Sequence, residues 1–144
     1  ATLLAPPFLL GLVVAFGPLL RYWGGLAALR WSPWLPWGTI LINVGGSFAI
    51  AFFGTLTASN GRFAASETVR LVFMVGICGG FTTFSSFSLQ TLDLLRQGAV
   101  LRAMLNIVLS LALCMASVTA GYLTAQALNT AGQSASAQAE RPSR

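Results

Sequence analysis

Four long apolar stretches divide this chain, over about residues 8–29, 38–56, 69–95 and 101–128, with short polar intervals between them. A helix that crosses a bilayer needs roughly 20 mostly apolar residues, so each stretch predicts one span. The polar and small positions inside the spans fall at helical intervals. In the second span they are Thr39, Asn43, Gly46, Ser47 and Gly54. In the fourth they are Asn106, Ser110, Cys114, Ser117 and Gly121. Each set marks one face of a helix that is otherwise apolar. Small residues on such a face let helices pack closely. An amide such as that of Asn43 needs partners there, either on another helix or in a pore.

The third span is different. Gly76-Ile77-Cys78-Gly79-Gly80-Phe81-Thr82-Thr83-Phe84-Ser85-Ser86-Phe87-Ser88 sits inside it. Paired glycines disfavour continuous helix. Backbone groups freed within hydrocarbon must be satisfied by protein, water or an ion. The pattern therefore predicts a helix broken near mid-membrane at a functional site. Beyond the break, Phe84 and Phe87 share one face, and Thr83, Ser86 and Gln90 form a polar stripe beside it.

Gly17-Pro18 is expected to bend the first span, and Arg21 follows within one turn, either snorkelling to the interface or lining a water-filled mouth. The region from Trp23 to Trp37 holds all four tryptophans, an interfacial belt. Asn60-Gly61 marks a turn between the second and third spans. From Asn129 the chain turns to Ala, Gln, Ser and Gly, so residues 1–128 read as a four-helix transmembrane domain and 129–144 as a disordered polar tail. The chain opens on an alanine, and its first apolar run is expected to be retained as a span rather than removed as a leader.

Composition sharpens the class. Of 144 residues 56% are hydrophobic and only 8% charged, against about a quarter charged in soluble domains. The eight basic residues are all arginine and are scattered singly, which points to lipid and away from nucleic acid. Histidine is absent, and Glu67, Asp93 and Glu140 lie at span ends or in the tail. No group for a proton relay, metal cluster or catalytic pair is present within a span, so an enzyme is not expected. Cys78 and Cys114 read as small apolar residues. Four arginines, Arg62, Arg70, Arg141 and Arg144, fall on one side of a four-span arrangement, and Arg21, Arg30, Arg96 and Arg102 fall on the other. Without a positive-inside bias the chain is expected to insert both ways and to pair antiparallel.

Gly79-Gly80-Phe81-Thr82-Thr83-Phe84-Ser85-Ser86-Phe87-Ser88 closely resembles the signature of the small bacterial fluoride channels, the Fluc or CrcB family. Gly38-Thr39-Ile40-Leu41-Ile42-Asn43-Val44-Gly45-Gly46 resembles that family's second-helix pattern, and Arg21 after a glycine-containing first span also fits. The resemblance covers about residues 8–125. It implies an all-α, dual-topology antiparallel homodimer in the bacterial inner membrane, with two pores that carry fluoride passively out of the cell. It implies a fluoride path lined by Asn43, Phe84, Phe87, Thr83, Ser86 and Ser110, with Arg21 and Gln90 in a vestibule. It also implies one structural sodium ion at the dimer centre, held by the backbone carbonyls of Gly79 and Thr82. The chain departs from the pattern where Gln90 replaces a common glutamate, Asn106 a frequent tyrosine, and Cys114 a small or hydroxyl residue. Two other readings stand beside the channel: a small dual-topology multidrug exporter, and a non-conducting subunit of a paired heteromeric channel.

Overall fold

The structure, a computed structural model, describes residues 7–140. Those residues form α1 (Pro7–Val14), α2 (Phe16–Ala28), α3 (Trp37–Leu56), α4 (Glu67–Leu71), α5 (Gly79–Phe81), α6 (Phe84–Arg96) and α7 (Val100–Ala139). A 3₁₀ turn, Leu29–Trp31, follows α2, and wider π-type turns, Val72–Cys78, join α4 to α5. No strand occurs among the described residues. Four helical runs are long and apolar enough to cross a membrane: Gly11–Trp31, Trp37–Leu56, Glu67–Arg96 and Val100–Ala139.

The outer surface agrees with a lipid environment. Leu12, Phe16, Val75, Leu101, Met115 and Leu123 are all more than half exposed. Apolar cover this extensive is stable in hydrocarbon and a liability in water.

The first run is interrupted at Ala15, one turn before the expected Gly17-Pro18. Pro18 lacks the N–H that would close on the Val14 carbonyl, so the helix is interrupted directly after Val14. Close approach then takes over. A Cβ on Gly17 would collide with the Ile77 carbonyl oxygen and lie 3.0 Å from the Phe81 nitrogen, so α2 touches the backbone of the third run directly. The most extensive packing joins α3 to α7. There a Cβ on Gly121 would lie 2.5 Å from the Phe48 carbonyl oxygen, the small-residue contact that hydrocarbon favours. The Ser117 hydroxyl donates to the Val44 carbonyl at 2.7 Å along the same seam.

The sequence places a disordered tail from Asn129, but α7 continues to Ala139. At about 1.5 Å per residue a 40-residue helix is about 60 Å long, twice the hydrocarbon thickness, so one end projects well past a bilayer. The extension is anchored by Asn129, which accepts from the Arg62 N–H at 2.8 Å and donates to the Thr55 carbonyl at 3.1 Å. One amide thus ties the start of this extension to α3 and the turn that follows it. Arg141 and Arg144 lie outside the described residues, and with them part of the charge balance.

Candidate functional site

The site forms where α3, α6 and α7 meet. The helix ends at Phe81, with the Thr82 N–H closing its last turn on the Cys78 carbonyl at 3.0 Å, and resumes at Phe84. Between them Thr82 (φ −78°, ψ 157°) and Thr83 (φ −153°, ψ 110°) are extended. The Thr83 N–H, which would otherwise close a helical turn on the Gly79 carbonyl, donates to Asn43 Oδ1 at 2.7 Å. In return Asn43 Nδ2 donates to the Thr83 carbonyl at 3.1 Å. One amide on α3 therefore satisfies both polar groups of the residue that opens α6.

Thr83 also caps α6. Its Oγ1 accepts from the Ser86 N–H at 3.1 Å and donates to Ser86 Oγ at 3.0 Å. A hydroxyl has one proton, so that of Ser86 remains available. Asn43 likewise keeps one N–H beyond the bond to Thr83.

Two cavities meet at Thr83. The larger, about 630 Å³, is lined by Arg21, Thr83, Ser86, Gln90 and Arg102 among others, with Thr39 on its wall and Asp93 also present. Arg102 is engaged, donating to the carbonyls of Trp34 at 2.6 Å and Pro33 at 3.0 Å. Arg21 reaches the Thr82 carbonyl only at 3.5 Å, the limit of a hydrogen bond, so most of its donors remain free. The Gln90 Oε1 is buried without a partner. The smaller cavity, about 270 Å³, is lined by Asn43, Thr82, Thr83, Phe84, Phe87, Ser110 and Cys114, with Gly46, Ser47, Ile50, Cys78 and Leu111 completing the wall. The Phe84 and Phe87 ring centroids are 5.4 Å apart and tilted by 49°. Phe87 is buried, whereas Phe84 is 74% exposed on the single chain.

The residues singled out in the sequence thus fall into two adjoining groups. Asn43, Phe84, Phe87 and Ser110 line the inner cavity, Arg21, Ser86 and Gln90 the outer one, and Thr83 both. Gly79 and Thr82 contribute the carbonyls just before the break. These are neutral, hard oxygens of the kind that bind sodium where a helix is interrupted. Sequence reasoning missed Thr91 and the wall positions Ile50 and Cys78. Thr91 carries a weak signal, lying one turn after Phe87 on the buried side of α6.

The described residues thus form a four-span helical bundle whose polar interior groups line two adjoining cavities. The chain matches the family described as "CrcB-like protein, Camphor Resistance (CrcB)" over residues 8–122, and it belongs to that family. It is 60% identical over 111 residues to the fluoride-specific ion channel FluC of Methylobacterium radiotolerans, covering 77% of this chain and 78% of that one. It is 55% identical over 117 residues to the protein of the same name from Gluconobacter oxydans, 81% of each chain. A third such protein, from Methylocella silvestris, is 53% identical over 116 residues, 80% of this chain and 88% of its own. The chain is a multi-pass bacterial membrane protein.

Proposed function

We propose that this chain is a fluoride channel that lets a bacterial cell void fluoride passively across its inner membrane. The observation that carries the reading is the junction at Thr83. There a cationic vestibule holding Arg21 abuts an inner cavity walled by two phenylalanines and rimmed by amide and hydroxyl groups. Its relatives named as fluoride-specific channels support the choice of anion.

Arg21, with donors to spare, raises the local anion concentration at the mouth. Gln90 adds an amide there without a charge. The free protons of Ser86 and Asn43 replace part of the ion's hydration at the junction. Past it, Phe84 and Phe87 offer ring edges, which are electropositive, and Ser110 a hydroxyl. None of these inner groups carries a full positive charge, so the ion is attracted without being trapped. A histidine or carboxylate would be needed to couple such a path to protons. The inner wall has neither, so transport runs down the fluoride gradient. This is transport and not enzyme chemistry.

The assembly is an antiparallel homodimer. The inner cavity is incomplete in one chain, because Phe84 lines it and yet is largely exposed. A second copy closes it, and the balanced arginines permit that copy to be inverted. Thr82 and Thr83 fall at the centre of the 30-residue run Glu67–Arg96, so the third helix is broken at mid-membrane. The Gly79 and Thr82 carbonyls of two copies would together hold one sodium ion, which ties the copies at their axis. Efflux from liposomes holding only this protein tests the function. Fluoride should be released with a potassium ionophore present while chloride is retained. Retention of fluoride, or equal release of both, would refute the reading.

A further inference from the structure

Asn106 is completely buried and touches neither cavity. Its amide nevertheless sits in a chain of hydrogen bonds whose direction is fixed. The Thr91 hydroxyl donates to the Phe87 carbonyl at 2.8 Å. A carbonyl only accepts, so the single Thr91 proton is committed to it. The 2.9 Å contact between Thr91 Oγ1 and Asn106 therefore requires Asn106 to donate, and the atom placed there is Nδ2. That turns Asn106 Oδ1 toward Ser110. Across the 3.4 Å contact the Ser110 hydroxyl must be the donor.

The consequence falls on the cavity that Ser110 lines. With its only proton on Asn106, Ser110 presents lone pairs to the space beside Phe87. Lone pairs repel an anion. To serve an anion, the hydroxyl must rotate and release Asn106. The 3.4 Å separation makes that bond long and weak compared with its neighbours.

We propose that Asn106 is a positioning residue that competes with the anion for the Ser110 proton, and that Thr91 sets the competition by orienting the Asn106 amide. Asn106 thereby lowers the affinity of the inner cavity and favours release. This rests on the fluoride-channel reading and extends it to a residue away from the path. The free energy for rotating Ser110 is a fixed cost on each occupied state.

Single-channel or macroscopic fluoride currents in planar bilayers, recorded over a range of fluoride concentrations, test it. Asn106→Ala removes the competing acceptor. Thr91→Val keeps the shape but removes the oxygen that orients the amide, so Asn106 is free to turn its NH2 toward Ser110. Both should lower the half-saturating fluoride concentration by about twofold to threefold, the low end of the range for one hydrogen bond because this one is long. In a Ser110→Ala background neither should shift it further. A merely structural role predicts a drop in maximal current with an unchanged half-saturation point, and the same drop with or without Ser110. That outcome, or a raised half-saturation point in the folded Thr91→Val protein, would overturn the proposal. If the wild-type protein carries no fluoride current, the functional reading fails and this one falls with it. If wild type conducts and the two effects add independently of Ser110, only this one fails.

Discussion

Asn43 and Thr83 hold each other through two hydrogen bonds, Thr83 N–H to Asn43 Oδ1 at 2.7 Å and Asn43 Nδ2 to the Thr83 carbonyl at 3.1 Å. Residues forty apart in sequence are thereby fixed at the point where the two cavities adjoin. The pair satisfies an extended residue that helix geometry cannot, and it leaves one asparagine N–H over. Structural support and anion contact thus come from a single amide.

Asn43→Asp separates those roles. Aspartate still accepts from the Thr83 N–H, so the start of α6 keeps its more closely spaced bond. It has no N–H to offer, and it places a negative charge in the path. Two like charges 4 Å apart near a protein surface repel by about 4 kcal/mol, about a thousandfold in occupancy. The purified variant should keep its helical circular dichroism while fluoride efflux falls by orders of magnitude. Efflux near the wild-type rate would remove Asn43 from the path.

Phe84→Ile addresses the rings. The substitution keeps an apolar side chain but deletes the electropositive edge. If Phe84 only packs, a swap of similar size should cost little. If the edge meets the ion, fluoride flux should collapse in a protein that still elutes as a single species. Phe87, buried against Phe84 with centroids 5.4 Å apart, is expected to respond likewise. Normal flux through both isoleucine variants would place conduction elsewhere.

Much of this was legible in the sequence because lipid imposes simple rules. Spans had to be long and apolar, and polar side chains within them had to face inward. The second and fourth spans therefore gave their inner faces through spacing alone. Asn43, Ser110 and Cys114 lie on one cavity wall, and Gly121 lies against the α3 backbone. Local composition reads the tail as disordered, whereas Asn129 makes tertiary hydrogen bonds to Arg62 and Thr55, which local composition cannot express. Asn106 looked like one more member of a polar stripe. Its significance comes from proton direction, which depends on Thr91 and the Phe87 carbonyl on a different helix.

Gly121→Val tests the seam that supports the inner cavity. A β-carbon there would press on the Phe48 carbonyl at 2.5 Å and the Phe52 nitrogen at 3.2 Å, both backbone atoms that cannot swing aside. Separating α3 from α7 would cost about 1–3 kcal/mol by overpacking. It should also weaken the bond from Ser117 to Val44. The variant should unfold in detergent several degrees below the wild type. Gly11→Val, which meets nothing within 4 Å in this chain, should leave the transition where it was. Equal transitions for all three proteins would mean that the α3–α7 contact is looser than described.

The last prediction concerns orientation. Phe84 is 74% exposed in one chain and yet borders the inner cavity, so a functional path needs a second copy against it. If that copy is inverted, both orientations must coexist in one membrane. The arginine distribution permits this, with Arg62, Arg70, Arg141 and Arg144 toward one side and Arg21, Arg30, Arg96 and Arg102 toward the other in the sequence. Short basic clusters close to span ends set orientation, and here neither side dominates strongly. A cysteine-reactive or protease-cleavable tag placed after Arg144 should therefore be reached from both faces of intact vesicles in comparable amounts. Moving the balance provides the control. Adding two or three lysines to the turn around Asn60 should drive the tag to one face and reduce fluoride efflux, because inverted partners become scarce. Co-expression with a chain biased the opposite way should restore it. A tag confined to one face in the unaltered protein, with efflux intact, would rule out the antiparallel pair. It would require Phe84 to be covered by a parallel copy instead.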